Sequence, residues 1–261
     1  MPLFSVRKLS KIFPSGFRAF ESLDLDITQG ECLVIAGSNG SGKTLLMLML
    51  AGLMEPSGGG ILFKGQELSK LGGGLRRSVG LVFQDPDAQI VGETVEEDLR
   101  FGPENLKIPA EEIQKRVEEV LQNLGIAEKR DFSPRRLSGG EKRRLAVAGV
   151  LAMGCGTVIM DEPFANLDWP GVIQVLQALK DLKEKGKTAI ILTHELEKVL
   201  AFADRLIILD RGIIRADGSP AAILDILDPV WGVRDPRHNY RSAADCTWLA
   251  FPSSPEARER G

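Results

Sequence analysis

The chain has 261 residues, 43% of them hydrophobic and 26% charged, and a formal net charge of -3. That length is enough to bury the core of one large or two modest domains, with the composition of an ordinary globular protein. The slightly acidic balance excludes a protein whose main task is neutralising nucleic-acid phosphates, and no nucleic-acid partner is expected.

The N-terminal stretch MPLFSVRKLSKIF is charged too early and too often for a secretion signal. From Leu3 to about Glu31 apolar and polar residues alternate between turn residues, which predicts short antiparallel strands, and ILFKGQEL (Ile61 to Leu68) reads as another. Five compact apolar runs follow a different pattern: CLVIAG, SVGLVFQ, GTVIMDEP, TAIILTH and RLIILDRG. Such runs suit strands of a parallel sheet buried on both faces by helices. LLMLMLAGLM (Leu45 to Met54) is about half of what a bilayer crossing requires and reads as a buried helix.

Between the second and third apolar runs, residues 86–154 have helical character. In EEIQKRVEEVLQNLGI the residues Ile113, Val117, Val120, Leu121 and Leu124 recur every three or four positions, forming one helix face, and Gly125 is the expected stop. VIQVLQALKDLKEKG predicts a second amphipathic helix ending near Gly186. The expected fold is therefore α/β, with a mostly parallel sheet, an N-terminal antiparallel β subdomain and an inserted helical subdomain. No internal repeat is evident. Cys32, Cys155 and Cys246 are scattered, with no CxxC pair, and read as reduced thiols. The stretch from about Pro220, with isolated Trp231 and Trp248, carries little functional information.

Two segments are built to hold phosphate. GSNGSGKT satisfies G-x-x-x-x-G-K-[ST] between an apolar strand and a helical run, the context this P-loop motif requires. Gly37, Ser38, Asn39, Gly40, Ser41 and Gly42 would wrap the backbone around the phosphates and aim N–H groups inward. Lys43 would reach the β and γ phosphates and the Thr44 hydroxyl would ligate magnesium. In TVIMDEP, Asp161 would hold the metal and Glu162 would orient and deprotonate the attacking water; taken alone, the pair could equally be a solvated turn. The second segment is LSGGEKRRL (Leu137 to Leu145), where Ser138, Gly139 and Gly140 precede a basic helical run. Ser138 with Glu141 three residues on is also a capping box, and the two readings are compatible.

These motifs, in their order along the chain, closely resemble the ATP-binding cassette (ABC) ATPases, over about residues 3–220. The resemblance implies an ATPase domain at 1–220 with the helical subdomain 86–154 inserted, a tail of unassigned role at 221–261, and ATP and Mg2+ as cofactors. It makes LSGGE the signature motif, Gln84 a residue contacting magnesium and the water, and Asp168 in ANLD a contact to a facing subunit. His194 would hydrogen-bond the γ phosphate, and Phe13 would stack on adenine, with Phe17 the second aromatic candidate. It also explains the duplication: two subunits pair head to tail, each ATP lying between one P-loop and the partner's signature. The partner is this chain or a close relative.

QDPDAQIVGETVEEDLRFGPENL (Gln84 to Leu106) resembles the corresponding region of the cobalt-transport and energy-coupling factor branch, which takes up vitamins and transition-metal ions. That implies a peripheral subunit on the cytoplasmic side of the cell membrane, its helical subdomain receiving an integral membrane transport subunit. The same run is also an acidic helix start favoured by the helix dipole. A soluble cassette acting on nucleic acid or ribosomes, or an exporter ATPase, are the competing readings. Two departures from the family pattern, Gly156–Thr157 before the acidic motif and Trp169 after Asp168, bear only on local packing. His238 matches no motif and is expected at the surface.

Overall fold

The computed structural model describes residues 1–237; the expectations for His238, Cys246 and Trp248 fall outside them. β1 (Phe4–Ile12) and β2 (Arg18–Ile27) form the predicted antiparallel pair, followed by β3 (Cys32–Ala36) and α1 (Lys43–Leu50). ILFKGQEL, expected as one strand, is instead the hairpin of β4 (Gly58–Phe63) and β5 (Gln66–Glu67). The reason is local: Lys64 (φ 50) and Gly65 (φ 78) are both left-handed, the geometry of a two-residue turn matched to strand twist. After α2 (Gly73–Ser78) and β6 (Val79–Val82) come the helices of the insertion, α3 (Val95–Asn105), α4 (Ala110–Asn123) and α5 (Gly139–Met153), which pack on one another. The face predicted for α4 is buried as expected, and Gly125 follows it at φ 61.

The remaining elements are β7 (Thr157–Asp161), α6 (Trp169–Glu184), β8 (Thr188–Thr193), the short α7 (Leu196–Val199), β9 (Arg205–Asp210), β10 (Ile213–Gly218) and α8 (Pro220–Asp225). One sheet has the order β2-β1-β4-β5, all antiparallel; the other has the order β10-β9-β3-β8-β7-β6. The five predicted apolar runs are its five mutually parallel strands, and β10 is an antiparallel edge that was not anticipated. Its cue was Arg211–Gly212, a second two-residue turn with φ 48 and 76.

Alternation along the parallel strands divides the core. Val34, Val158, Ile191, Leu206 and Ile208 face the cluster built with α3 to α6. Leu33, Ile35, Ile159, Ile190 and Ile207 face α1 and the antiparallel sheet. Burying both faces is what made these strands continuous apolar runs in the sequence. Their parallel direction brings their carboxyl ends to one edge, where open α/β sheets bind ligands.

Packing around both sequence departures is intact. Thr157 is 2% exposed at the start of β7, and the Gly156 carbonyl accepts from the Thr188 N–H at 3.0 Å. Trp169 is the first residue of α6 and 77% exposed, touching neither core.

Candidate active site

The P-loop leaves β3 at Ala36 and enters α1 at Lys43. Gly42 has φ 107, and a β-carbon there would stand 2.8 Å from the Phe20 ring, so both backbone and space demand glycine. Lys43 folds back across the loop, its Nζ donating to the carbonyls of Gly37 at 2.7 Å and Ser38 at 3.1 Å. Asn39 and Gly40 are exposed at the loop tip, whereas the Ser41 hydroxyl is buried without a protein partner.

Two strand ends meet this loop. β7 lies two strands from β3, with β8 between them, and Asp161 pairs with Leu192 while Ala36 pairs with Thr193. The register places the Asp161 carboxylate against α1, where its Oδ2 accepts from the Thr44 hydroxyl at 2.5 Å. Burial pushes the Asp161 carboxyl up and the Lys43 amine down; the Thr44 hydrogen bond opposes the first, and the nearby Glu162 and Asp161 charges oppose the second.

Glu162 is the most constrained residue of the group. It is 4% exposed and left-handed at φ 48, held by its own N–H donating to the Leu192 carbonyl at 2.8 Å. A non-glycine residue in that region persists only when its surroundings fix it. Its Oε2 accepts from the Thr193 hydroxyl at 3.0 Å, and its Oε1 lies 2.8 Å from His194 Nδ1. The His194 ring is half exposed, so it spans from the buried carboxylate to solvent.

The structure thus gathers Lys43, Thr44, Asp161, Glu162 and His194 at one sheet edge. Ser138, Gly139 and Gly140 lie elsewhere, opening α5. The capping box is present: Ser138 Oγ accepts from the Glu141 N–H at 3.3 Å, and Glu141 Oε2 accepts from the Ser138 N–H at 2.7 Å. A β-carbon on Gly140 would come within 3.3 Å of the Asn166 carbonyl, which packs this helix start against the segment leading to Asp168. Asp168 caps α6, accepting from the Gly171 N–H at 3.0 Å, and faces Arg144 at 3.7 Å. Among the described residues no hydrogen bond or ion pair joins Ser138–Gly140 to the P-loop. Phe13 and Phe17 form a tilted pair with centroids 6.1 Å apart; Phe13 is half-buried on the core and Phe17 is 59% exposed.

Gln84 is exposed just past β6. Its backbone is held by Arg143, which is 2% exposed and donates to the carbonyls of Phe83 at 2.8 Å and Gln84 at 2.5 Å. Neither Arg143 nor Thr193 was singled out from the sequence. Arg143 sat unremarked in the basic run after the signature, and Thr193 had no signal beyond preceding His194. Beyond Gln84, a cleft of about 710 Å3 is lined by Asp87, Ile90, Val91, Glu93, Pro134 and Arg135. The lining segment is tied down by Asp98, whose Oδ1 accepts from the N–H groups of Val91 at 2.7 Å and Gly92 at 2.9 Å, and by Lys142 paired with Asp87 at 2.6 Å.

Among the described residues no group of three or more His, Cys, Asp or Glu could hold a metal ion. The adjacent Thr44 hydroxyl and Asp161 carboxylate fit a different case. They are two hard oxygen donors beside a phosphate-type loop, the small protein share that Mg2+ takes when phosphates and water complete its shell.

A strand, glycine loop and helix with acidic strand ends converging on a lysine define a P-loop nucleotide hydrolase. Residues 20–165 match the family described as "ABC transporter". The chain is 44% identical over 228 residues to the energy-coupling factor transporter ATP-binding protein EcfA of Methanosarcina acetivorans, covering 86% of this chain and 82% of that protein. It is 42% identical over 226 residues to the cobalt import ATP-binding protein CbiO of Rhodobacter capsulatus, covering 85% and 81%. The solved structure of cbiO1 from Clostridium perfringens, described as part of the ABC transporter complex cbiONQ, superimposes with a TM-score of 0.76 at 36% identity, covering 86% of this chain and 91% of that one. The chain belongs to the ABC transporter ATPases, as an ATP-binding protein of the energy-coupling factor and cobalt-import branch.

Proposed function

We propose that this chain hydrolyses ATP between two head-to-tail subunits to power uptake of a vitamin or transition-metal ion through an integral membrane partner. The observation that carries the reading is the Glu162 carboxylate, held from two sides by Thr193 and His194 next to the Thr44–Asp161 pair. A buried carboxylate with fixed orientation suits a base that aligns water and takes its proton. Lys43 and the P-loop N–H groups bind the β and γ phosphates, and Thr44, Asp161 and, on closure, Gln84 hold Mg2+, which neutralises phosphate charge when bound. With His194 Nδ1 engaged by Glu162, its Nε2 is the atom left for the γ phosphate. Phe13 stacks on adenine.

Ser138, Gly139 and Gly140 serve the partner's nucleotide, and Asp168 faces the partner subunit. The exposure of Ser138 and Gly139 supports this, since a helix start open to solvent is available to an anion from another chain. The cleft lined by residues 87–93 and 133–135 supports docking of the membrane subunit: it combines apolar Ile90 and Val91 with charged Asp87, Glu93 and Arg135 and lies on the helical subdomain. The membrane association proposed is peripheral, on the cytoplasmic face, through the integral membrane partner; among the described residues no helix is long and apolar enough to cross a membrane.

The test is Glu162→Gln. It keeps the shape and the hydrogen-bonding reach of the side chain but removes the base, so ATP binding persists, turnover falls by at least roughly a hundredfold, and a nucleotide-bound dimer accumulates on size exclusion. Wild-type phosphate release by this variant refutes the assignment of the base.

A further inference from the structure

The stretch after Pro220, uninformative as sequence, returns to the P-loop. α8 packs on β9 and β10 with Ile223 buried, and a turn at Pro229–Trp231 packs on β9 with Val233 buried beyond it. This return is held in shape: the Asp228 carboxylate accepts from the Val230 N–H at 2.9 Å, the Gly232 N–H donates to the Pro229 carbonyl at 2.9 Å, and Arg237 ties the segment back to Asp225 at 2.8 Å. At its apex Gly232 is left-handed at φ 70, and a β-carbon there would stand 2.8 Å from Ser38 Cβ and 3.4 Å from Ser38 Oγ.

Two further contacts reach the same loop from the same side. The Leu209 carbonyl, near the end of β9, is so close to Gly37 that a β-carbon there would lie 2.1 Å from it. The Gly212 N–H, in the β9–β10 turn, donates to the Ser41 carbonyl at 2.9 Å. Gly37, Ser38 and Ser41 are thus each met by residues from the last part of the described chain, while Phe20 braces Gly42. A loop rich in glycine presents its N–H groups to phosphate only if something else fixes its shape, and preorganisation of this kind appears as affinity.

We infer that the segment Asp228–Val233 is a buttress for the P-loop and that Gly232 is a positioning residue for nucleotide binding, acting through Ser38. The inference rests on the Gly37–Thr44 loop being the nucleotide cradle. A side chain at position 232 displaces Ser38 and weakens ATP binding, leaving the Glu162 chemistry intact.

The experiment uses the full chain, with the dissociation constant of trinitrophenyl-ATP with Mg2+ and the saturated rate of phosphate release as readouts. Gly232→Ala combines the new contact with backbone strain, whereas Gly232→Asn makes the same contact and tolerates a left-handed backbone. Both raise the dissociation constant about three- to tenfold, equivalent to about 0.7–1.4 kcal/mol, with the saturated rate within about twofold of wild type. In a Ser38→Gly background, which opens the space opposite, the effect of either change falls below about twofold, as expected for a direct coupling. An unchanged dissociation constant in a folded Gly232→Asn protein overturns the inference, as does weakening by Ala alone or an equal factor in both backgrounds. Lys43→Ala separates the premise: if it too leaves nucleotide binding unchanged, the cradle assignment fails before Gly232 is judged.

Discussion

Thr193→Val is the sharpest probe of how the site holds its carboxylate. Valine keeps the shape of a side chain that is fully buried, and it deletes one hydroxyl that donates to Glu162 Oε2 at 3.0 Å and accepts from the Glu195 N–H at 3.0 Å. A hydrogen bond to a charged group contributes about 1.5–3 kcal/mol, which sets an upper bound of roughly 10- to 150-fold on the loss of aligned carboxylate. His194 still holds Oε1, so the lower end applies, and the saturated rate of phosphate release is expected to fall about tenfold. The Glu195 N–H also loses its acceptor, which costs about 1 kcal/mol of stability and lowers Tm by about 2–4 °C. Phosphate release at saturating Mg·ATP, nucleotide affinity and thermal unfolding are measured on Thr193→Val and Thr193→Ser. Serine restores the hydroxyl and should restore turnover. A valine variant that loses thermal stability while hydrolysing at the wild-type rate would show that Thr193 merely caps the turn into α7, and the argument for Glu162 alignment would fall.

Two further outcomes follow from charged side chains that hold backbone groups in place. Arg143→Met strips the donor from the Phe83 and Gln84 carbonyls, each such loss costing about 1–3 kcal/mol, so the segment from Gln84 to Ile90 should exchange its amide hydrogens faster than in wild type; unchanged protection there argues against Arg143 as its anchor. At Asp204, burial acts to raise the carboxyl, but hydrogen bonds from Lys183 and the Cys32 N–H outweigh it and hold it below the ordinary range. A depressed folded value means stability that is present at neutral pH and lost as pH falls through that value. The Tm gap between wild type and Asp204→Asn should therefore be open at pH 7 and close below about pH 4; a gap independent of pH contradicts the assignment.

What was legible in the sequence was whatever a local pattern encodes. The five parallel strands announced themselves because both faces of each are buried, and α4 because one face is. The P-loop was legible because its glycines and Lys43 fall within eight consecutive residues and touch one ligand class. Thr193 and Arg143 were not, because their roles are relations between distant segments: a hydroxyl on β8 meeting a carboxylate after β7, a guanidinium on α5 meeting carbonyls after β6. ILFKGQEL misleads for the opposite reason, since the two-residue turn Lys64–Gly65 lies inside what looks like one continuous strand pattern. Gly232 belongs with Thr193 and Arg143, because nothing near it in sequence hints that Ser38 lies across from it.

The electrostatics give these distant relations their purpose. Lys43 and Asp161 are charges held out of water, each opposing the penalty that burial imposes on the other, and Glu162 adds a strained backbone to a buried carboxylate. Removing any one of these leaves the others desolvated with less compensation, so the group depends on its own contacts as well as on the surroundings that fix them. Dipoles and charges fixed in advance in a dry cleft act on developing phosphate charge without reorganising. The residues that fix them act on different steps: Thr193 holds the Glu162 carboxylate for turnover, and Gly232 shapes the loop that Lys43 crosses for nucleotide binding.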